Sequence, residues 1–436
     1  MSKLITNTIR HTGGSADNIT LDNSQNVTVE GNATVDGTST LTGNVTCSGQ
    51  LKTDAIRHTG ASSDAITLAN DGTATAKITN NLSNRNLIIN GAMNVAQRGS
   101  SSTTAGYTTV DRFSTSTGGT DEAPTFAQVD VTSNDSGPWE KGFRKAFRIT
   151  NGNQTGGAGT SDKVECFTKV EAQDIAASGW DYTSTSSYIT LSFWVKSSVA
   201  QNFYGYILSL DGTSQNYPFE TGSLSADTWT KITKTISGNS NLQFDNNVEE
   251  GLRIVWQPFM GTGSTGSVSL NTWAAFNASV RTPNQTSTWW TTNDAQFEIT
   301  GIQLEVGDTA TDYEHRSYGD ELARCQRYHY VHVDGNTQTI GIGAYSGTAT
   351  VYIHVPFPVT MRATPTMTVA SDGSNYWYTW YSSDASNAEK GDNFAINGAH
   401  PRGAIIKDPS ASGTNGAALY GRTSSASAKI SFSAEL

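Results

Sequence analysis

Two nested repeats occupy the first part of this 436-residue chain and limit what it can fold into. Ile9-Arg10-His11-Thr12-Gly13 returns as Ile56-Arg57-His58-Thr59-Gly60, and Asp17-Asn18-Ile19-Thr20-Leu21 returns as Asp64-Ala65-Ile66-Thr67-Leu68, both at an offset of 47 residues. Between the two copies runs a hexad, with Gly at 31, 37, 43 and 49 and Thr at 28, 34, 40 and 46. Val29, Val35, Leu41 and Cys47 each stand two residues before a glycine. A period of six combines the two-residue alternation of a strand with one turn glycine per rung, as in a β-solenoid or an intertwined β-fibre. Rungs with one or two apolar residues cannot bury a core alone, so neighbouring chains must supply the missing surface. A three-fold parallel bundle closes that arrangement most simply. Residues 1–85 are therefore expected to form a fibrous β stalk of a homotrimer. His11 and His58, as repeat-equivalent residues in polar turns, read as hydrogen-bonding groups rather than metal ligands.

The composition extends the β reading to the rest. Hydrophobic residues are 36% and charged residues 15%, and there are 42 glycines. A polar, uncharged, turn-rich mixture favours strands over helices. The 10 Trp, 16 Tyr and 15 Phe are enough to build packed cores, which excludes a disordered chain. A net charge of -11 argues against binding nucleic acid or anionic lipid. No apolar run is long enough to span a bilayer. The opening Met1-Ser2-Lys3-Leu4-Ile5-Thr6-Asn7 lacks an apolar signal core, which points to synthesis in a cytoplasm. Cys47, Cys166 and Cys325 are few, distant and odd in number, so they read as small buried residues rather than disulfides or zinc ligands.

Residues 86–315 alternate as strands. Ile189, Leu191, Phe193 and Val195 face one way and Thr190, Ser192, Trp194 and Lys196 the other. Phe203 to Leu210, Thr230 to Ile236, Leu252 to Trp256 and Phe297 to Val306 follow the same rule. The expected fold is a two-sheet jelly-roll sandwich. Gly261-Thr262-Gly263-Ser264-Thr265-Gly266 has the composition of a phosphate loop, but no helix follows to present its N-terminus to a phosphate.

In residues 316–436, Ser317 caps a short connecting helix, with Asp320 three residues on and Leu322 and Cys325 as its apolar stripe. Tyr328 to Val333, Thr348 to Val355, Met367 to Ala370 and Ile430 to Leu436 read as strands of a C-terminal β tip domain. Tyr376-Trp377-Tyr378-Thr379-Trp380-Tyr381 puts rings on both faces of a strand. One face is core; the other is either a ligand surface or a subunit interface. Loop residues Asn397, His400 and Arg402 are further recognition candidates. These eight positions, Thr379 aside and the loop three included, are the receptor-binding candidates.

Several motifs resemble the tail-fibre proteins of marine and cyanobacterial phages. They are Asn86 to Gly99, Asp111-Arg112-Phe113, Val170-Glu171-Ala172-Gln173-Asp174-Ile175, Leu191-Ser192-Phe193-Trp194-Val195-Lys196, Ile302-Gln303-Leu304-Glu305-Val306-Gly307 and Glu314 to Tyr328. The opening strand and the Gln-Leu-Glu-x-Gly strand also resemble carbohydrate-binding jelly-roll modules. The resemblance implies an all-β virion protein. Such a protein would attach to a tail or baseplate protein through its N-terminal part and bind a host surface glycan or outer-membrane receptor through its later domains. Jelly rolls of this kind often carry a structural calcium between their first and last strands, for which Asn90, Glu298 and Glu305 are the oxygen donors on offer. No other cofactor is expected.

No zinc-protease helix or serine elbow occurs. The pairs Glu165 with Glu171 and Glu298 with Glu305 read as outward-facing residues, not as the two carboxyls of a glycosidase cleft. The expectation is a binding protein and not an enzyme. The alternatives are a tailspike-type polysaccharide depolymerase and a connector fibre whose tip binds another virion protein.

Overall fold

The computed structural model describes residues 8–9, 19–21, 27–29, 55–56, 66–68 and 74–76, and residues 84–436 apart from 372, 374–376 and 383–388. The chain divides into two compact units, Met1–Lys77 and Ile78–Leu436.

In the first unit the 47-residue sequence repeat is also a structural repeat. Strands β1 (Thr8–Ile9), β2 (Ile19–Leu21) and β3 (Val27–Val29) form one antiparallel three-stranded sheet. Strands β4 (Ala55–Ile56), β5 (Ile66–Leu68) and β6 (Ala74–Ala76) form another. The registers are equivalent: Ile9 faces Ile19 as Ile56 faces Ile66, and Thr20 faces Thr28 as Thr67 faces Thr75. The described strands are thus antiparallel meanders rather than parallel solenoid rungs. The glycine hexads, Cys47, His11 and His58 lie outside the described residues. Ile56 and Leu68 are exposed in the single chain.

The second unit opens with a sandwich compatible with a jelly roll. One sheet has the order β15-β12-β18-β10-β9-β7, from β15 (Thr230–Ser237), β12 (Tyr188–Ser197), β18 (Gln296–Val306), β10 (Lys145–Thr150), β9 (Thr125–Asp130) and β7 (Ser101–Ser102). The other has the order β17-β14-β13-β16-β11-β8, from β17 (Ala274–Ala275), β14 (Gln215–Ser223), β13 (Asn202–Ser209), β16 (Glu250–Met260), β11 (Lys163–Glu171) and β8 (Phe113–Gly118). The predicted alternation of β12 holds on its inner side. Ile189, Leu191, Phe193 and Val195 are buried against Leu252, Ile254 and Trp256 of the facing sheet. Phe193 meets Trp256 edge-on at 5.6 Å and Phe219 at 6.1 Å. Each such side chain taken from water contributes roughly 1.5–3 kcal/mol, so the facing sheets are held chiefly by this layer.

The outer faces are less bare than alternation predicts. On β12, Thr190 and Ser192 are buried as well. Over the second sheet, residues 261–285 fold back. Phe276 packs with Tyr206 and Leu208. Asn216 donates to the Arg281 carbonyl at 2.8 Å, and Thr282 donates to Gln257 at 3.0 Å. The glycine-rich run at 261–266 is part of this cover. The amides of Gly261, Gly263 and Gly266 donate to the carbonyls of Asp162, Thr160 and Thr282, so they form no phosphate cradle.

Short helices α1 (Ala172–Ala176) and α2 (Thr288–Thr291) form without a helical pattern in the sequence. Helix α3 (Tyr318–Gln326) forms where the sequence predicts it, and Ser317 caps it by accepting from the Asp320 amide at 3.2 Å. Its buried face differs from the expected stripe: Cys325 is buried, Leu322 only half so, and Glu321 goes inside, 3.6 Å from Arg316. Cys166 and Cys325 are buried free thiols.

The C-terminal domain has a three-stranded sheet, β19-β28-β22, of β19 (His329–Asp334), β28 (Lys429–Ser433) and β22 (Thr366–Ala370). Its second sheet is seven-stranded, in the order β24-β23-β27-β20-β21-β26-β25. These are β24 (Glu389–Gly391), β23 (Tyr378–Ser382), β27 (Ala418–Thr423), β20 (Thr339–Ser346), β21 (Thr350–Pro356), β26 (Gly403–Asp408) and β25 (Ala395–His400). One core joins both sheets through Trp380, Tyr378, Ile353, Ile406, Ile430 and Phe432. Among the described residues no helix is long and apolar enough to cross a membrane.

Candidate functional site

The aromatic run divides as strand alternation requires. Tyr378 and Trp380 point into the core and are buried. The Tyr378 hydroxyl donates to the Ala370 carbonyl at 2.6 Å, and the Trp380 indole N–H donates to Asp408 at 3.2 Å. Burial pushes the Tyr378 phenol up to about 12, so it stays a neutral donor. These two rings are therefore corrected from receptor candidates to core residues, because the inner face of β23 is where the domain closes. Trp377 is half-buried against the same core. Tyr376 lies outside the described residues.

Tyr381 is on the opposite face, and there it has company that the sequence reading missed. Its register partner on β27 is Tyr420, and Tyr420 in turn faces Ile342 on β20. The Tyr381 and Tyr420 rings stack with centroids 4.9 Å apart and 11° between planes. Arg422 holds Tyr381, its guanidinium 5.3 Å from the Tyr381 ring and donating to the Tyr381 hydroxyl at 3.1 Å. A shallow cavity of about 450 Å³ lies along Ile342, Tyr381, Ser382, Ala418, Leu419 and Tyr420.

The row continues across the sheet. His354 on β21, next to the Ile353 that pairs with Gly343, faces Ile405 on β26, and Ile405 faces Gly398 on β25. Ile342, Tyr420 and Ile405 are 77%, 46% and 41% exposed. Three large apolar side chains left in water along one cross-strand row form a patch, not scattered surface residues. The signal for it was present in Gly341-Ile342-Gly343 and Ala418-Leu419-Tyr420-Gly421. Gly341 and Gly343 flank Ile342, and Gly421 follows Tyr420, so small residues make room beneath the sheet beside a large apolar residue above it. A Cβ on Gly421 would lie 2.4 Å from the Trp380 ring.

Asn397, His400 and Arg402 are all exposed, on the hairpin that joins β25 to β26. The Arg402 amide donates to His400 Nδ1 at 3.1 Å and fixes the turn. The hairpin rims the Ile405 end of the row. Tyr381 sits five strand spacings away, about 24 Å. The structure thus places Tyr381 and the three loop candidates at two ends of one face, with Ile342 and Tyr420 between.

The oxygen donors considered for calcium are not brought together. Glu298 and Glu305 are seven residues apart on β18. Glu298 pairs with Arg148 at 2.8 Å and Lys196 at 3.2 Å. Glu305 accepts from Thr311 and Gln303. Asn90 spends its side chain on Val95 and the Asp111 carbonyl.

Nor are the paired glutamates outward in the sense expected; all four are buried. Glu165 takes Lys163, and Glu171 takes Arg327 and Tyr328. Burial alone would raise the Glu171 pKa, but the hydrogen bonds from Arg327 and Tyr328 outweigh it and hold the carboxyl below its usual range. A general acid needs the reverse shift.

No family model and no curated protein matches the sequence. Among solved structures, similarity is found to the enzymatically active domain of tailspike protein 4 of bacteriophage CBA120. Identity is 11% over 51% of this chain and 21% of that one, with a TM-score of 0.28. The chain therefore spans about a fifth of that tailspike structure. A putative sugar binding protein from Bacteroides thetaiotaomicron is 12% identical over 51% of this chain and all of that one, with a TM-score of 0.27. The N-terminal cellulose-binding domain of Cellulomonas fimi β-1,4-glucanase C is 10% identical over 50% and 99% of the two chains, with a TM-score of 0.24. Superpositions this loose assign no residue roles.

Proposed function

We propose that this chain is a structural fibre subunit of a phage tail. In this reading it attaches through its repeated N-terminal part and binds a cell-surface glycan through the outer face of its seven-stranded C-terminal sheet, by binding and not by catalysis. The observation that carries the proposal is the exposed row of Tyr420, Ile342 and Ile405 with the stacked, arginine-clamped Tyr381 at one end. Flat aromatic faces held rigid at little entropic cost suit the apolar faces of sugar rings, and the polar hairpin at the other end offers hydrogen bonds to hydroxyls. Each of the four buried glutamates is engaged by a cation or a hydrogen-bond donor, which supports a role without bond cleavage. The repeated sheets with exposed Ile56 and Leu68 support association of chains into a trimer, since sheets this small are not stable alone.

The test is retention of the purified full chain on immobilised polysaccharide extracted from candidate host cells. Tyr420→Ala and Ile342→Ser should each reduce retention tenfold or more with an unchanged melting temperature, as removal of a central anchor does. Retention unchanged in both variants would remove the glycan reading of this face. Release of soluble oligosaccharide during the assay would overturn the claim of binding without catalysis.

A further inference from the structure

A second site lies in the other domain, on the outer face of the first sandwich sheet. Its centre is Trp194 of β12. Opposite it the ladder slips: Ser192 pairs with Gln303 but Trp194 pairs with Thr300, so β18 carries an extra residue there. That extra length is taken up at Gly301, whose φ is +63°. A bulge of this kind bends the strand and re-aims the side chains around it. Gly301 leaves the floor without a side chain, because a Cβ there would come within 2.6 Å of Phe143 and 3.0 Å of Trp194.

The result is a cavity of about 230 Å³, on the scale of one sugar ring and smaller than the sites that hold drug-sized ligands. One wall is the Trp194 indole, backed by Trp139 and Trp229. The other is an aromatic trio. Phe143, Tyr313 and His315 meet one another at 4.8, 5.2 and 4.9 Å, and His315 Nε2 is fixed 2.7 Å from the Lys141 carbonyl. The walls are therefore set before any ligand arrives. Ser192 lines the cavity; it is buried, and among the described residues its hydroxyl has no hydrogen-bond partner.

The rim is charged. Asp312 and Lys141 pair at 3.4 Å. Lys231, the register partner of Trp194 on β15, has no ion pair among the described residues. Two ammonium groups and one carboxylate leave a net positive rim on a chain whose net charge is -11. An overall negative field repels an anion at long range, so an unbalanced lysine beside an indole acts only at contact.

We infer that this cavity is a binding site for a single pyranose unit bearing a carboxylate. The ring would lie between Trp194 and the Phe143–Tyr313–His315 wall, its hydroxyls on Ser192 and Asp312 and its acid group on Lys231. This site is independent of the glycan reading of the C-terminal sheet and uses none of its residues.

Calorimetric titration of the full chain with a glucuronate-containing tetrasaccharide and with a neutral glucose tetrasaccharide tests it. The acidic probe should bind at least tenfold more tightly than the neutral one, and the difference should shrink in high salt. Lys231→Glu, a change at an exposed position, should remove that preference, and Ser192→Ala should weaken both probes. Tyr420→Ala should leave the titration unaltered, so this site and the C-terminal face fail or stand separately. Equal affinity for the two probes, no binding of either, or an unchanged titration in Lys231→Glu would overturn the assignment. Trp194→Phe, which keeps a ring in place, guards against misfolding; it should weaken binding without changing the melting temperature, and unaltered binding would count against the site.

Discussion

His329 opens β19 with both ring nitrogens buried and without a hydrogen bond among the described residues. Burial, then the nearby charges of Arg98 and Lys429, push its pKa down to about 2. The imidazole is thus neutral in the folded protein, while the unfolded chain protonates it near 6.5. Below that value the unfolded state binds the extra proton, so stability falls with acidification by about 1.4 kcal/mol per pH unit. Asp111 works in the opposite sense. Burial raises its carboxyl to about 6, so the folded state holds a proton longer than the unfolded one and gains stability as the pH drops from 6 towards 4. The two effects mask each other in the wild type. The difference between wild type and His329→Gln isolates the first: wild type should lose about 2 kcal/mol relative to the variant between pH 6.5 and 5. Denaturant titrations at several pH values measure this, and parallel curves would mean that the folded state takes up the proton. Gly421 supplies a second residue-scale check. Its Cβ would lie 2.4 Å from the Trp380 ring, so Gly421→Ala should cost roughly 1–3 kcal/mol by overpacking. A loss below about 0.5 kcal/mol would show that the ring moves freely.

Helix α3 shows what local sequence can specify. Its cap depends on residues three apart, so Ser317, Asp320 and the start at Tyr318 are all legible. Ser317→Ala should cost about 1 kcal/mol, read as a drop in thermal stability, and no change would mean that water caps the helix equally well. The strands of the sandwich are legible for a similar reason, since the alternation of Ile189, Leu191, Phe193 and Val195 is written within β12 alone. The outer faces are not, because what covers them comes from far away. Glu171 is buried by Arg327 and Tyr328, and Tyr206 by Phe276. The candidate site fails to appear in the sequence on the same ground. Tyr381, Tyr420 and Ile342 stand on three strands whose order in the sheet is not their order in the chain. The aromatic run is dense in sequence, yet two of its rings, Tyr378 and Trp380, serve the core. The most exposed member of the row, Ile342, has only glycines for neighbours and no density at all.

At the scale of the molecule, the sandwich and the C-terminal domain are joined by buried charge. Arg112 is buried, pairs with Glu435 and lies 3.4 Å over the Tyr328 ring. Arg98 reaches the same Glu435 at 3.0 Å, and Arg327 crosses to Glu171 at 2.8 Å. A desolvated arginine is tolerable only while its partner is present, so Glu435→Ala should cost about 3–5 kcal/mol, and calorimetry should show it as a lower or split transition. An unshifted melting profile would mean that the junction is held by packing instead. The first unit poses the opposite problem, because its described strands are too short to bury a core of their own. Its two meanders repeat one register 47 residues apart, and each strand is two or three residues long. Sheets of that size with Ile56 and Leu68 exposed gain stability by covering those side chains with other copies. The full chain should therefore sediment as a trimer, and residues 78–436 alone should remain folded while sedimenting as a monomer. A full-length chain that stays monomeric at micromolar concentration would remove the intertwined stalk. A trimer that survives deletion of residues 1–77 would move the association to the second unit, where the exposed row of Ile342 and Tyr420 would then be its first suspect.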